Sequence, residues 1–275
     1  MVSKSVENNY KWHALRITVG ITALVLMLTG GAGAATPISS CTTISSPGEY
    51  LLTQSITNSP ATYCMNIISS NVVFDGAGYT IDGADIVNTY GVYVYSSITA
   101  VTNVTIKNLT VTDWYYGIHY RNAANGNITN NIAISNNNRG ISLDSSINNM
   151  LSSNIANSNY LGIYLVSSSN NNTLTVNNAS NNNYGILLSN SSNNILNENT
   201  ANSNNGGDGF YLHYSSNNNT LRGNNASNNG PYADGIRLDS SNSNILSGNT
   251  ANLNYWDGIG LEYSSNNTLN GNTAN

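Results

Sequence analysis

Apolar and polar residues alternate along this chain in short bursts, and from Gly117 onward the bursts recur about every 23 residues. The units open Gly117-Ile118-His119-Tyr120, Gly140-Ile141-Ser142-Leu143, Gly162-Ile163-Tyr164-Leu165 and Gly185-Ile186-Leu187-Leu188. They continue as Gly209-Phe210-Tyr211-Leu212, Gly235-Ile236-Arg237-Leu238 and Gly258-Ile259-Gly260-Leu261. Residues one and three after the glycine are apolar, the period-two pattern of a strand with one face buried. A second apolar column follows: Ile128, Leu151, Leu174, Leu196, Leu221, Leu246 and Leu269. Five residues later stands a small residue: Ala133, Ala156, Ala179, Ala201, Ala226, Ala251 and Ala274. A unit this short has no room for a helix pair, so each is read as one coil of a parallel solenoid.

Asparagine punctuates the coils in three columns. They run Asn149, Asn172, Asn194, Asn219, Asn244, Asn267; Asn131, Asn154, Asn177, Asn199, Asn224, Asn249, Asn272; and Asn136, Asn159, Asn182, Asn204, Asn229, Asn254. Asparagine tolerates left-handed backbone at a bend, and identical amides stacked about 4.8 Å apart can bond one another. The glycine before each inward Ile is expected to serve a corner with a permissive backbone. Three asparagine corners per coil predict a triangular section. The predicted class is all-β: a right-handed single-stranded parallel β-helix of three short sheets and about ten coils, about 50 Å long. Val72-Val73-Phe74-Asp75-Gly76, Tyr79-Thr80-Ile81-Asp82-Gly83 and Gly91-Val92-Tyr93-Val94 read as less regular initial coils.

The N-terminus has a different pattern. Lys4, Lys11 and Arg16 precede the apolar run 17–28, and Ala32-Gly33-Ala34 follows, the layout of a secretory signal peptide. The expected organisation is a signal peptide at 1–34 and a β-helix at 35–275, with irregular coils over 35–116 and regular repeats over 117–275. The alternative for the first segment is an uncleaved anchor, the one route by which the membrane becomes a partner. Either way the expected location is extracytoplasmic, secreted or at the cell surface. In that compartment Cys41 and Cys64 are expected to form a disulfide that staples the first coils. The chain stops at Asn272-Thr273-Ala274-Asn275, inside a repeat. That is read either as a sequence that continues or as an open coil making end-to-end contact.

These columns, together with Ser70-Asn71-Val72-Val73-Phe74-Asp75-Gly76 and Tyr79-Thr80-Ile81-Asp82-Gly83, resemble the NosD-type right-handed β-helix family of the pectin-lyase-like superfamily. Similar modules occur in archaeal surface proteins. The resemblance spans Cys41 to Asn275. It implies the fold strongly and the activity weakly, because this scaffold carries lyases, hydrolases, epimerases and non-catalytic modules. NosD proteins proper are exported factors associated with copper-site maturation of nitrous-oxide reductase. Copper is not expected here. The soft or imidazole donors after the signal segment are His119, His213, Met65, Met150 and two paired cysteines, and the histidines stand four coils apart. The Asn-Thr-Asp, Gly-His-Gly and Arg-x-Lys elements of polygalacturonases and the Asp-Pro-His-Glu of mannuronan epimerases are missing from the sequence.

Spacing marks a candidate functional corner. The Leu-to-Ala interval is fixed at five, whereas Ala-to-Gly varies from six (Ala156 to Gly162) to nine (Ala226 to Gly235). Insertions in solenoids collect on one face, often the binding face. This corner carries Trp114, Tyr115, Tyr232, Tyr255 and Trp256, and the acids Asp208, Asp234 and Asp257 before consecutive glycines. Outward positions beside it add His213, Arg237, Asp239 and Glu262. Stacked carboxylates raise one another's pKa, and the Asp208, Asp234, Asp257 ladder is the place where calcium is considered. Aromatic faces beside acids suit sugars, so the expected ligand is a polysaccharide or another cell-envelope component. The bland alternative is ordinary Asp-Gly turn chemistry, with Arg237 neutralising its neighbours.

Composition excludes more than it selects. Charged residues are 8 % and the net charge is -5, so the chain has no basic footprint for nucleic acid. Nine sequons, at Asn103, Asn108, Asn127, Asn171, Asn178, Asn190, Asn218, Asn225 and Asn266, are glycosylation candidates in an exported chain. The reading is an exported, non-catalytic surface module that binds carbohydrate, with no catalytic residue assigned. A polysaccharide-active enzyme on the same scaffold, a structural spacer and a NosD-like accessory factor are the alternatives.

Overall fold

Alternation makes strands, and the repeat stacks them in register. The computed structural model describes residues 34–275, which form twenty-seven short strands and, among the described residues, no helix. The expected signal peptide lies outside the described residues apart from Ala34. Every strand pair is parallel, and the chain winds through about ten coils as a right-handed β-helix. Its first sheet has eleven strands, from Thr36–Ile38 to Thr268–Asn270, and carries the Leu column. The second has ten strands, from Thr42–Ile44 to Ile259–Glu262, and carries Gly-Ile-x-Leu. The third holds four strands, Ile56–Ser59, Thr80–Gly83, Thr110–Thr112 and Ile132–Ile134. It then continues as single bridges through Ile155, Asn178, Thr200, Asn225, Thr250 and Thr273. Two asparagine turns five residues apart leave space for one bridging residue per coil, so this side is the thinnest.

The Ile, Leu and Ala columns fill the interior. Leu151 aligns with Leu174, Leu196, Leu221 and Leu246, and all are buried. Each buried Leu stabilises by about 2–3 kcal/mol relative to exposure. In the early coils larger side chains take those places. Tyr120 is buried in the Leu143 register, and its hydroxyl donates to the Val104 carbonyl at 3.1 Å.

The asparagine columns form continuous buried ladders. Asn154 Nδ2 donates to Asn177 Oδ1 at 2.9 Å and to the Ile128 carbonyl at 2.8 Å, while the Asn154 backbone N–H donates to the same Asn177 Oδ1 at 3.1 Å. The ladder residues do not themselves adopt the left-handed conformation, contrary to the expectation. That role falls one residue earlier, as at Asn148 (φ 56), Ser153 (φ 56) and Ser158 (φ 58) before Asn149, Asn154 and Asn159. Their neighbours bend the chain; the ladder amides satisfy the polar backbone groups that the bend exposes.

The repeated glycines also have a different reason from the one expected. None from Gly117 to Gly258 in the Gly-Ile column is left-handed. A Cβ on Gly162 would lie 2.5 Å from Asn182 Nδ2 and 2.7 Å from the Gly185 carbonyl oxygen. Space, not conformational freedom, selects glycine. A fourth ladder, of buried Ser146, Ser169, Ser191, Ser216 and Ser241, caps the corner after the second sheet through bonds such as Ser146 N–H to Ser169 Oγ at 3.1 Å. Cys41 and Cys64 are joined as a disulfide in the first coils, with Cα atoms 4.2 Å apart.

Candidate functional site on the outward face of the second sheet

Alternation turns every second residue of a sheet outward, and parallel register stacks those residues into columns. On the first sheet one column reads Thr105, Asn127, Met150, Thr173, Ile195, Thr220, Ile245, Thr268, generic strand formers throughout. The matching column of the second sheet reads Asn66, Tyr93, His119, Ser142, Tyr164, Leu187, Tyr211, Arg237, Gly260. It repeats nothing. Of the five basic residues after Ala34, three (Arg121, Arg139 and Arg237) lie on this side. Charge is scarce in this chain, so its concentration here sets the face apart.

The C-terminal half is acidic. Asp208 and Asp234 are 3 % and 6 % exposed and act first as backbone caps. The Asp234 N–H donates to Asp208 Oδ1 at 2.7 Å, and the Asp257 N–H donates to Asp234 Oδ1 at 2.8 Å. Burial pushes the Asp208 carboxyl up to about 7, opposed by the Asp234 N–H and aided by the Asp234 charge. Burial raises Asp234 as well, while Asp257 is exposed. Arg237 pairs with Glu262 and lies over the Tyr211 ring. The Tyr211 hydroxyl donates to Asp239 Oδ2 at 3.2 Å, and its ring stacks on His213 at 4.6 Å. Burial depresses the His213 imidazole.

Gly260 opens this surface. A Cβ there would lie 2.7 Å from Asp234 Oδ2. With no side chain, it forms part of a shallow cleft of about 300 Å³ lined by Asp234, Arg237, Trp256, Asp257, Leu261 and Glu262. Trp256 is 52 % exposed, and Tyr232 packs near both Tyr255 (5.4 Å) and Trp256 (6.1 Å). The structure thus brings Asp234, Arg237, Trp256, Asp257 and Glu262 together. Trp114 does not join them. It is fully buried in the core, where its Nε1 donates to the Ile81 carbonyl at 3.2 Å, and two glycines leave it space: a Cβ on Gly83 or Gly91 would lie 2.9 or 3.1 Å from the indole. Tyr115 stands in an earlier coil, its hydroxyl accepting from Asn138 Nδ2 at 2.9 Å.

A second concentration lies at the other end of the face. Tyr63, Tyr90 and Tyr116 follow one another coil by coil, with ring centroids 5.2 and 4.7 Å apart. Tyr93 stacks on Tyr63 at 5.1 Å and on His119 at 5.5 Å. His119 is buried and bonded to the Ser142 hydroxyl, and burial beside two arginines depresses it to about 3. The cluster was not legible in the repeat because Tyr63, Tyr90 and Tyr93 lie in the coils before Gly117, and only Tyr116 and His119 stand at the first regular unit. The available signal was the shared Tyr-Gly of Tyr90-Gly91, Tyr116-Gly117 and Tyr184-Gly185.

Fold and face together define a pectin-lyase-like parallel β-helix with an elaborated second sheet. The family model described as "Periplasmic copper-binding protein (NosD)" matches residues 53–232 and 205–275, and the chain belongs to this family. No curated protein matches the sequence. Among solved structures, the A-module of the mannuronan C-5 epimerase AlgE4 of Azotobacter vinelandii is similar over 82 % of this chain and 77 % of its own, at 18 % identity and TM-score 0.65. The periplasmic alginate epimerase AlgG is similar over 81 % and 69 %, at 18 % identity and TM-score 0.62. The DFA-IIIase of Arthrobacter chlorophenolicus A6 without its lid is similar over 82 % and 64 %, at 13 % identity and TM-score 0.55. Such identities establish the shared fold.

The soft and imidazole donors that the copper of the family's description would call on lie apart, with Met150 exposed on the first sheet and His213 half-buried on the second. Met65 is buried in the core, both cysteines are consumed by the disulfide, and His119 is enclosed by tyrosines. Among the described residues no group of three His, Cys, Asp or Glu side chains is placed to hold a metal ion. The Asp208 and Asp234 carboxylates each accept a backbone N–H through Oδ1.

Proposed function

We propose that this chain is an extracytoplasmic, non-catalytic β-helix that binds a polysaccharide along the outward face of its second sheet. The observation that carries the reading is the Gly260 cleft. An exposed indole beside three carboxylates and a guanidinium matches a sugar ring, whose C–H faces are apolar and whose hydroxyls need polar partners. Residence in the cell envelope is supported by the periplasmic description of the family and of AlgG. The fold relatives that act on mannuronan and alginate support a polymeric ligand.

Glycan-array binding by the purified chain tests the proposal. Trp256→Ala is expected to weaken binding about tenfold, and Gly260→Leu, which fills the cleft, to do the same, with the polymer unchanged throughout. Absence of binding to any glycan leaves a structural spacer. One observation favours a polysaccharide-active enzyme as second reading: a carboxyl pushed up to about 7 at Asp208 adjoins Asp234, which faces the cleft. Polymer cleavage or epimerisation abolished by Asp234→Asn would establish that reading in place of the first.

A further inference from the structure

Arg139 is held in an unusual way. Its guanidinium lies between two rings, 5.1 Å from the Tyr116 centroid and 4.6 Å from that of Tyr164, and its buried Nε has no hydrogen-bond partner. Arg121, on the adjacent strand, lies 5.2 Å over the Tyr95 ring. Among the described residues neither arginine has a carboxylate within ion-pair distance, although Asp144 is the register partner of Arg121. Arg237 at the far end is paired with Glu262. The two halves of one face therefore differ in kind. One gathers acids around a single paired arginine; the other holds two guanidinium groups over aromatic rings, with Asp144 on the neighbouring strand but outside ion-pair distance.

Fixing matters because a guanidinium clamped by stacking loses little side-chain freedom when it binds an anion. Tyr63, Tyr90 and Tyr116 form a continuous aromatic surface beside the arginines, with the buried Tyr93 stacked against Tyr63 and packed on Tyr90. At its edge a cleft of about 270 Å³ is lined by Tyr63, Asn66, Ile68, Tyr93, Tyr95 and Ile98, together with two serines. Buried His119 is neutral across the physiological range, so the positive charge of this half resides in Arg121 and Arg139.

We infer that this N-terminal half of the face is a receptor for an acidic polysaccharide, its acid groups read by Arg121 and Arg139 and its sugar rings by the tyrosines between them. The inference rests on the carbohydrate-binding reading above and names the chemical class of the ligand. Carboxylate is planar and sulfate tetrahedral, but each presents a pair of oxygens that a guanidinium fork can engage with two N–H donors. A single-stranded nucleic acid would use the same groups, and the net charge of -5 opposes every long polyanion alike, so the oligo-dT arm of the test separates the two.

The test measures binding of the full exported chain to polygalacturonate, dextran sulfate, neutral dextran and oligo-dT. One or both acidic polysaccharides are expected to bind at least tenfold tighter than neutral dextran, and which of them wins identifies the acid group. Arg121→Gln and Arg139→Gln are each expected to weaken that binding about tenfold, and raising salt should do likewise. Arg121 is exposed, so Arg121→Gln remains decisive where Arg139→Gln disturbs the sheet; Arg139→Lys, which keeps charge but not the planar fork, should recover only part. Equal binding of neutral dextran, unmoved by either variant, overturns the acidic class while leaving carbohydrate binding intact. Tighter binding of oligo-dT than of every polysaccharide overturns the inference in favour of nucleic acid. Failure to bind any glycan removes both readings together.

Discussion

Truncating one rung of an asparagine ladder gives the sharpest test of how this molecule stands. Asn177 lies mid-ladder and is buried. Its Oδ1 accepts from the Asn154 backbone N–H (3.1 Å) and from Asn154 Nδ2 (2.9 Å), and its Nδ2 donates to the Leu151 carbonyl and to Asn199 Oδ1, both at 2.9 Å. Asn177→Ala removes all four bonds. Two neighbours keep a second partner: Asn154 Nδ2 still donates to the Ile128 carbonyl, and Asn199 Oδ1 still accepts the backbone N–H of residue 177. The Asn154 N–H and the Leu151 carbonyl lose the partners that the side chain supplied. At about 1–3 kcal/mol for each of the two buried groups left unsatisfied and about 1 kcal/mol for each of the two other bonds lost, the expected destabilisation is about 4–8 kcal/mol.

Solenoid coupling is between neighbours, so the loss should be local as well as large. Urea unfolding should show it globally, and native-state hydrogen exchange should place the fastest new exchange at Asn154 and adjoining amides. The matched control is Asn181→Gly, which alters the left-handed residue (φ 58) just before ladder Asn182 and should be neutral within a few tenths of a kcal/mol. A loss below about 1 kcal/mol for Asn177→Ala, or equal losses in the two variants, would refute the assignment of structural weight to the ladder amide rather than to the bend.

Gly162→Ala should destabilise by about 3 kcal/mol, since the new Cβ meets Asn182 Nδ2 at 2.5 Å and a backbone carbonyl at 2.7 Å. Gly248→Ala, where φ is +62 and the space is open, should lose only about 1–2 kcal/mol; thermal melts of the two variants decide between crowding and conformation. Stability should also depend on pH through Asp208. Its folded pKa, about 7, lies above the ordinary carboxylate value of 3.8, so the native state binds the extra proton and this group's contribution falls as pH rises from about 4 to about 7. The total is about 4 kcal/mol at most. His119, depressed from 6.5 to about 3, acts oppositely, its contribution being lost as pH falls below 6.5. The difference between wild type and Asp208→Asn isolates the first effect, and a difference that stays constant from pH 4 to 8 would count against a raised carboxyl.

The columns were legible because identical residues at identical spacing have one economical explanation, a coil stacked on copies of itself. Two assignments within them were not. Asparagine is frequent both at left-handed bends and in stacked ladders, and glycine is selected both by φ and by lack of space, so residue type alone cannot separate the causes. The geometry does, by placing left-handed φ at Ser153 and Ser158 and crowding at Gly162. The candidate cleft was partly legible from Asp234, Trp256 and Asp257 at the corner of variable length. Its Gly260 element was hidden, because a glycine in an outward register matters only through the side chain missing beside Asp234 Oδ2. Trp114 shows the reverse error: an aromatic residue at a variable corner reads as surface, yet the space left by Gly83 and Gly91 takes it into the core.

Stability and recognition thus fall on different residues of the same coil. The Ile, Leu and Ala columns fill the interior, while the Asn and Ser ladders satisfy the turns. A change in any of them propagates to the coils above and below. The outward second-sheet positions have no such duty, and along one column they run from tyrosine through histidine, serine and leucine to arginine and glycine. Strand spacing of about 4.8 Å sets successive coils at regular steps beneath any ligand lying along the axis. A folded monomer without that constraint would have to hold aromatic and guanidinium groups in place on mobile loops. Here the sheet fixes them before the ligand arrives, which lowers the ordering cost of binding. On the proposed carbohydrate-binding reading, an extended polymer is the ligand shape that such an array suits, because it can lie across several coils at once.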